Sequence, residues 1–154
     1  MKRITVLLAD DNRVVRRELR TILELEDDLE VVGEAKNGYE AVAMVKKLRP
    51  ALVLMDIAMP LLNGLQATYQ ILKTMPLLRT QSRPPITKVL ILSAHSDEAY
   101  VEEAVNSGAM GYLIKYTAAD CVCHAIREVH KGNTFLSPSI PKHFHKQYRK
   151  KQMD

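Results

Sequence analysis

Short apolar runs rich in Val, Ile and Leu alternate along this chain with longer stretches whose apolar residues recur at helical spacing. Ile4 to Ala9 reads as a first strand. A helix is predicted from near Asn12, with Val15, Leu19, Ile22 and Leu23 on one stripe and Arg13, Arg16, Arg17 and Arg20 largely on its solvent side. Glu30 to Ala35 is a second strand, and Asn37-Gly38 turns into a helix carrying Ala41, Val42, Val45 and Leu48 that Pro50 stops. Ala51 to Met55 is apolar throughout, as expected of a strand covered on both faces. Asn63-Gly64 introduces a helix through Leu65, Tyr69 and Leu72, and the proline-rich stretch from Pro76 to Pro85 reads as a long exposed loop. Lys88 to Leu92 is a fourth strand running into Ser93-Ala94, and the helix from Asp97 to Asn106 ends at Ser107-Gly108. Gly111 to Ile114 is a fifth strand, followed by a helix from about Ala118 to His130 that Gly132 stops. Five strands and five helices in strict alternation predict the α/β class, a parallel sheet covered by helices.

The 154 residues fit one domain and a short remainder. No apolar run approaches the roughly 20 residues of a membrane helix, and the apolar residues after Met1-Lys2-Arg3 are too few for a secretory core. The expectation is a cytoplasmic protein with no membrane contact. The net charge of +4 is local: Met1 to Pro141 holds 17 basic and 17 acidic side chains, so Lys142, Lys146, Arg149, Lys150 and Lys151 supply the excess against Asp154. Any affinity for polyanions would reside in that tail, although a solvated linker is the preferred reading.

Three of the predicted strands end in polar residues: the first runs into Asp10-Asp11, the third into Asp56 and the fifth into Lys115. In a parallel α/β sheet a ligand crevice opens at the carboxyl ends of the strands. Three acids and a lysine gathered there suggest a divalent cation and a phosphoryl group. Taken singly, Asp10-Asp11-Asn12 is an ordinary helix cap, Asp56 a turn-forming acid and Lys115 a solvated charge. Taken together, three converging carboxylates repel unless a cation compensates them, which favours a functional cluster.

Leu7-Leu8-Ala9-Asp10-Asp11-Asn12, Val31-Val32-Gly33-Glu34-Ala35 with Asn37-Gly38, Met55-Asp56-Ile57-Ala58-Met59-Pro60 with Asn63-Gly64, Ile91-Leu92-Ser93-Ala94 and Gly108-Ala109 through Lys115 together resemble the receiver domain of two-component response regulators of NarL/FixJ type. The resemblance implies a flavodoxin-like, doubly wound, five-stranded parallel sheet of order 2-1-3-4-5, with residues 1–136 as the receiver and 137–154 as a basic tail or linker remnant. It implies that Asp56 accepts a phosphoryl group from a sensor histidine kinase and that Mg²⁺ is held by Asp10, Asp11, Asp56 and the main-chain oxygen of Ala58. Lys115 would supply the opposing cation. The hydroxyl of Ser93 would bond the new phosphoryl oxygen while Tyr112 moves from an exposed to a buried rotamer, altering the surface of the fourth helix, fifth strand and fifth helix. Ala58 and His95 lie where the family tunes dephosphorylation. Such a module assists its own phosphorylation and dephosphorylation rather than turning over a separate substrate.

Tyr116 stands where many receivers have proline, so a cis peptide there is not expected. Relatives of this type usually continue through a linker into a DNA-binding domain, and Leu136-Ser137-Pro138 resembles the start of that linker. The receiver part of a truncated transcriptional regulator is therefore the alternative, contacting DNA only through a domain absent here, and a homodimer stays open. A phosphatase of the haloacid dehalogenase type would need an Asp-x-Asp after the first strand, whereas Asp10 and Asp11 are adjacent. Cys121, Cys123, His124 and His130 match no common zinc spacing.

Overall fold

The β-branched and leucine-rich runs pair as strands and the striped segments cover them as helices in the computed structural model, which describes residues 2–78, 87–95, 97–115 and 119–153. The strands are β1 (Ile4–Ala9), β2 (Leu29–Ala35), β3 (Leu52–Met55), β4 (Lys88–Ser93), β5 (Gly111–Ile114) and a short β6 (Phe135–Leu136). They form one sheet of order β2-β1-β3-β4-β5-β6 in which every neighbouring pair is parallel. The helices are α1 (Arg13–Glu24), α2 (Gly38–Leu48), α3 (Gly64–Leu78), α4 (Glu98–Ser107), α5 (Ala119–His130) and α6 (Lys142–Met153).

Period-two alternation divides the core between two faces. Val6 and Leu8 of β1 pack with Leu19 and Leu23 of α1 and with Val122 and Ile126 of α5. Leu7 and Ala9, pointing the other way, pack on the side of α2, α3 and α4. All four residues of β3 are buried, as the apolar run required. Asn12 caps α1 by accepting from the amides of Val14 and Val15, and Asn37 caps α2 through Glu40. Gly108 closes α4 at φ 92°, the left-handed conformation a glycine reaches without strain.

Four departures from the sequence reading have physical causes. A sixth strand and a sixth helix extend the five of each: Phe135 and Leu136 find an open parallel edge on β5, and Ile140 and Phe144 give the basic tail an apolar side. The tail is accordingly not a wholly solvated linker over its first half, because Ser137, Ile140 and Phe144 are buried. The loop expected from Pro76 begins later, since α3 continues through Leu78; the rest of that stretch, like Tyr116, lies outside the described residues. Arg16, expected on the solvent side of α1, is only 13% exposed because Asp10 and Glu34 draw its guanidinium inward.

Candidate functional site

Backbone pairing at the carboxyl end of the sheet brings the acids together. Asp10 follows β1 and its amide donates to the carbonyl of Ala35, while the amide of Asp56 donates to the carbonyl of Ala9. β1 and β3 lie side by side with Ala9 opposite Met55, so each strand delivers its next residue to the same rim. Carboxylate oxygens of Asp10, Asp11 and Asp56 all lie within 4.8 Å of one another, the one such cluster of potential metal ligands among the described residues. Asp10 and Asp56 are buried and Asp11 is exposed, which leaves the cluster open on one side.

Lys115 arrives from the end of β5, its amide donating to the Ser93 carbonyl at 2.7 Å. Its ammonium lies 2.9 Å from Asp10 Oδ2 and 3.3 Å from Asp56 Oδ1. Burial alone would lower this ammonium's pKa, but the hydrogen bond to Asp10 and the charges of Asp56 and Asp10 outweigh it and raise the value. Asp56 responds the other way: burial, reinforced by the charge of Asp10, pushes its carboxyl up to about 6 against the pull of Lys115. One lysine does not neutralise three acids. An over-acidic cluster, buried at Asp10 and Asp56 and open at Asp11, can bind a metal ion through its hard carboxylate oxygens.

The loop after Asp56 is fixed by close backbone approach. The amide of Gly64 donates to the carbonyl of Ile57 at 2.9 Å, and a Cβ on Gly64 would lie 1.9 Å from the carbonyl oxygen of Asp56. Asn63 and Gln66 cap α3 reciprocally, each side chain accepting from the other's amide. On the other flank Gly38 donates to the carbonyl of Leu62 and packs against it so tightly that a Cβ would lie 2.2 Å away. Between them Leu61 is held at φ 70° with 78% of its surface exposed. Ala58 sits exposed in this loop, two residues past Asp56.

Ser93 and Tyr112 meet at His95. Ser93 is fully buried and its hydroxyl oxygen accepts from the amide of His95 at 3.0 Å. The phenol of Tyr112 donates to the carbonyl of His95 and its ring is fully buried, so the rotamer present is the inward one and not the exposed starting rotamer that the resemblance implies. Burial is the main reason that phenol is pushed up to about 12. The expected positions 10, 11, 56 and 115 therefore converge, with 93 and 112 joined beside them through His95.

Arg16 was missed as part of the site: its Nη1 donates to the main-chain oxygen of Asp10 at 2.6 Å and its Nε to Glu34. Arg20 also donates to Glu34, whose own burial would raise its carboxyl pKa but which the two guanidiniums hold below the ordinary value. The signal available in sequence was an acid at the end of β2, beside the strand that carries Asp10. In the sequence Gly64 marks only the entry to a helix, whereas in the structure its lack of a side chain is what lets α3 start against Asp56.

Residues 6–127 match the family described as response regulator receiver domain. The transcriptional regulatory protein DegU of Brevibacillus brevis is 36% identical over 148 residues, covering 96% of this chain and 59% of DegU. LnrK of Bacillus subtilis, also a transcriptional regulatory protein, is 39% identical over 137 residues, covering 89% of this chain and 58% of that protein. The chain thus spans somewhat over half the length of these relatives. Among solved structures, the signal receiver domain of the response regulator NarL from Mycobacterium tuberculosis superposes with a TM-score of 0.76 at 28% identity, covering 86% of this chain and all of that one.

Proposed function

The chain belongs to the response regulator receiver domain family, and on that premise we propose that it is a phosphorylation-driven signalling switch whose phosphoacceptor is Asp56 and whose donor is a sensor histidine kinase. The observation that carries the reading is the convergence of Asp10, Asp11 and Asp56 with the Lys115 ammonium against two of them. Transfer would form a bond from an Asp56 carboxylate oxygen to phosphorus as the bond from phosphorus to the donor imidazole nitrogen breaks, leaving an acyl phosphate. The strand behind Asp56 is buried on both faces and Gly64 locks the backbone in front of it, so the nucleophile is held still for in-line approach.

The hard, over-acidic donor set fits Mg²⁺, which Asp10, Asp11, Asp56 and the main-chain oxygen of Ala58 would hold directly or through water. When bound, that ion supplies positive charge against the phosphoryl oxygens. Lys115 supplies a second positive charge from the β5 side, and Arg16 keeps the Asp10 backbone in place. The Ser93 hydroxyl would bond the new phosphoryl oxygen, with its partner His95 linking that change to Tyr112. The readout would be the surface of α4, β5 and α5, with a homodimer open to it.

Residues 1–136 would be the receiver and 137–154 its basic extension, in a cytoplasmic protein. The relatives' names, both transcriptional regulatory proteins, favour one further reading, in which this receiver regulates transcription; a DNA-binding domain outside these residues would be its output. Incubation with acetyl phosphate and Mg²⁺ should add one phosphoryl mass to the intact protein and none to Asp56→Asn. Equal labelling of that variant would overturn the assignment.

A further inference from the structure

Residues 135–153 lie beyond the stretch matched by the family, residues 6–127, yet part of this segment is as buried as the central strands. Leu136, Ile140 and Phe144 belong to the same packed cluster as Tyr112 and the α4 residues Val101, Ala104 and Val105. Beyond the β5–β6 pairing, two hydrogen bonds secure the segment to β5: the Ser137 amide donates to the Tyr112 carbonyl at 3.0 Å, and the Ile114 amide donates to the Ser137 hydroxyl at 2.9 Å. The next residue after Ile114 is Lys115, whose ammonium contacts Asp10 and Asp56. Helix α6 then packs against α4, bringing basic Lys142 and Lys146 to a helix that carries Glu98, Glu102 and Glu103.

Tyr112 is therefore shared between two structures. Its hydroxyl is held by the segment that starts at Ser93, and its ring completes the cluster in which Phe144 is buried. Swinging that ring out would leave a void in this cluster beside Leu136, which Tyr112 faces across the β5–β6 pairing, and packed interiors do not tolerate voids of that size. An inward Tyr112 and a docked α6 consequently favour each other.

We propose that β6 and α6 form a strap whose docking over α4 is tightened when Asp56 carries a phosphoryl group, so that the state of the acid cluster is read as the closing of this segment. The inference rests on Asp56 being the phosphoacceptor. Coupling of this kind is reciprocal: whatever factor phosphorylation contributes to strap docking, the docked strap returns to the affinity of the site.

Amide hydrogen exchange on the full chain, with and without beryllium fluoride and Mg²⁺ as a phosphoryl mimic, tests this directly. Fluorine NMR establishes independently whether the mimic is bound. We expect exchange across residues 137–147 to slow about five-fold or more on binding. Phe144→Ala should weaken the mimic by a similar factor, with Phe144→Leu recovering most of it. Bound fluoride with unchanged exchange in the strap would overturn this inference and leave the proposed function standing. Absence of a bound signal in the wild type would overturn the phosphoacceptor reading and the strap with it. The wild-type exchange decides the matter even if Phe144→Ala fails to fold.

Discussion

At Asp56 the chain keeps a carboxylate where its own burial and a neighbouring acid disfavour the charge. Mg²⁺ should therefore raise the thermal unfolding midpoint of the wild type, and Asp11→Asn should lose most of that rise, as scanning calorimetry with and without the ion can show. Gly64→Ala should cost roughly 3 kcal/mol, because the new Cβ meets the carbonyl of Asp56 and neither backbone can give way. Leu61→Gly should do the opposite and stabilise by about 1 kcal/mol in urea unfolding, since Leu61 is exposed and held in the left-handed region. Asp10, Asp11, Asp56 and Lys115 were legible in the sequence because each follows a recognisable strand, and a parallel sheet leaves its strand ends on one rim. Arg16 was not, because helical period places a side chain on a face without revealing that an acid from another strand reaches it.

Between elements, one ion-pair cluster joins parts of the chain far apart in sequence. Arg127 of α5 donates Nε and Nη2 to the two carboxylate oxygens of Asp28, each at 2.8 Å, and Nη2 also to Glu26, both acids lying in the turn before β2 or at its approach. The hydrogen bond from Arg127 is the largest influence on Asp28 and holds its carboxyl below the ordinary value. A depressed carboxyl pKa contributes stability above the unfolded value and loses it as pH falls through the folded one. Arg127→Ala should thus cost about 0.5–1 kcal/mol at neutral pH, a small figure because these side chains are about one third exposed. The difference from wild type should shrink below about pH 4, which urea titrations at several pH values would reveal. Element boundaries were readable where a cap or a stop residue marks them, as at Asn12, Asn37 and Gly108. The end of α3 was not, because Pro76 looks like a terminator while the helix runs through it to Leu78.

For the whole molecule, strict alternation of strand and helix was enough to predict a parallel sheet, since parallel neighbours need crossovers and helices supply them. The sixth strand escaped that logic. Two residues carry no period, and Phe135-Leu136 becomes a strand only because β5 presents an unpaired edge. Phe144 escaped for a related reason: a single aromatic among His143, His145, Lys142 and Lys146 reads as part of a polar tail until α4 and Tyr112 are present to receive it.

The central position of β1, between β2 and β3, also bears on how the chain is made. All three strands leave the ribosome before β4 and β5, so the half-sheet that gathers the acids can close while Lys115 is still unsynthesised. At typical elongation of 5–20 residues per second the interval between Asp56 and Lys115 lasts roughly 3–12 s. During that window the nascent carboxylates have no Lys115 ammonium beside them.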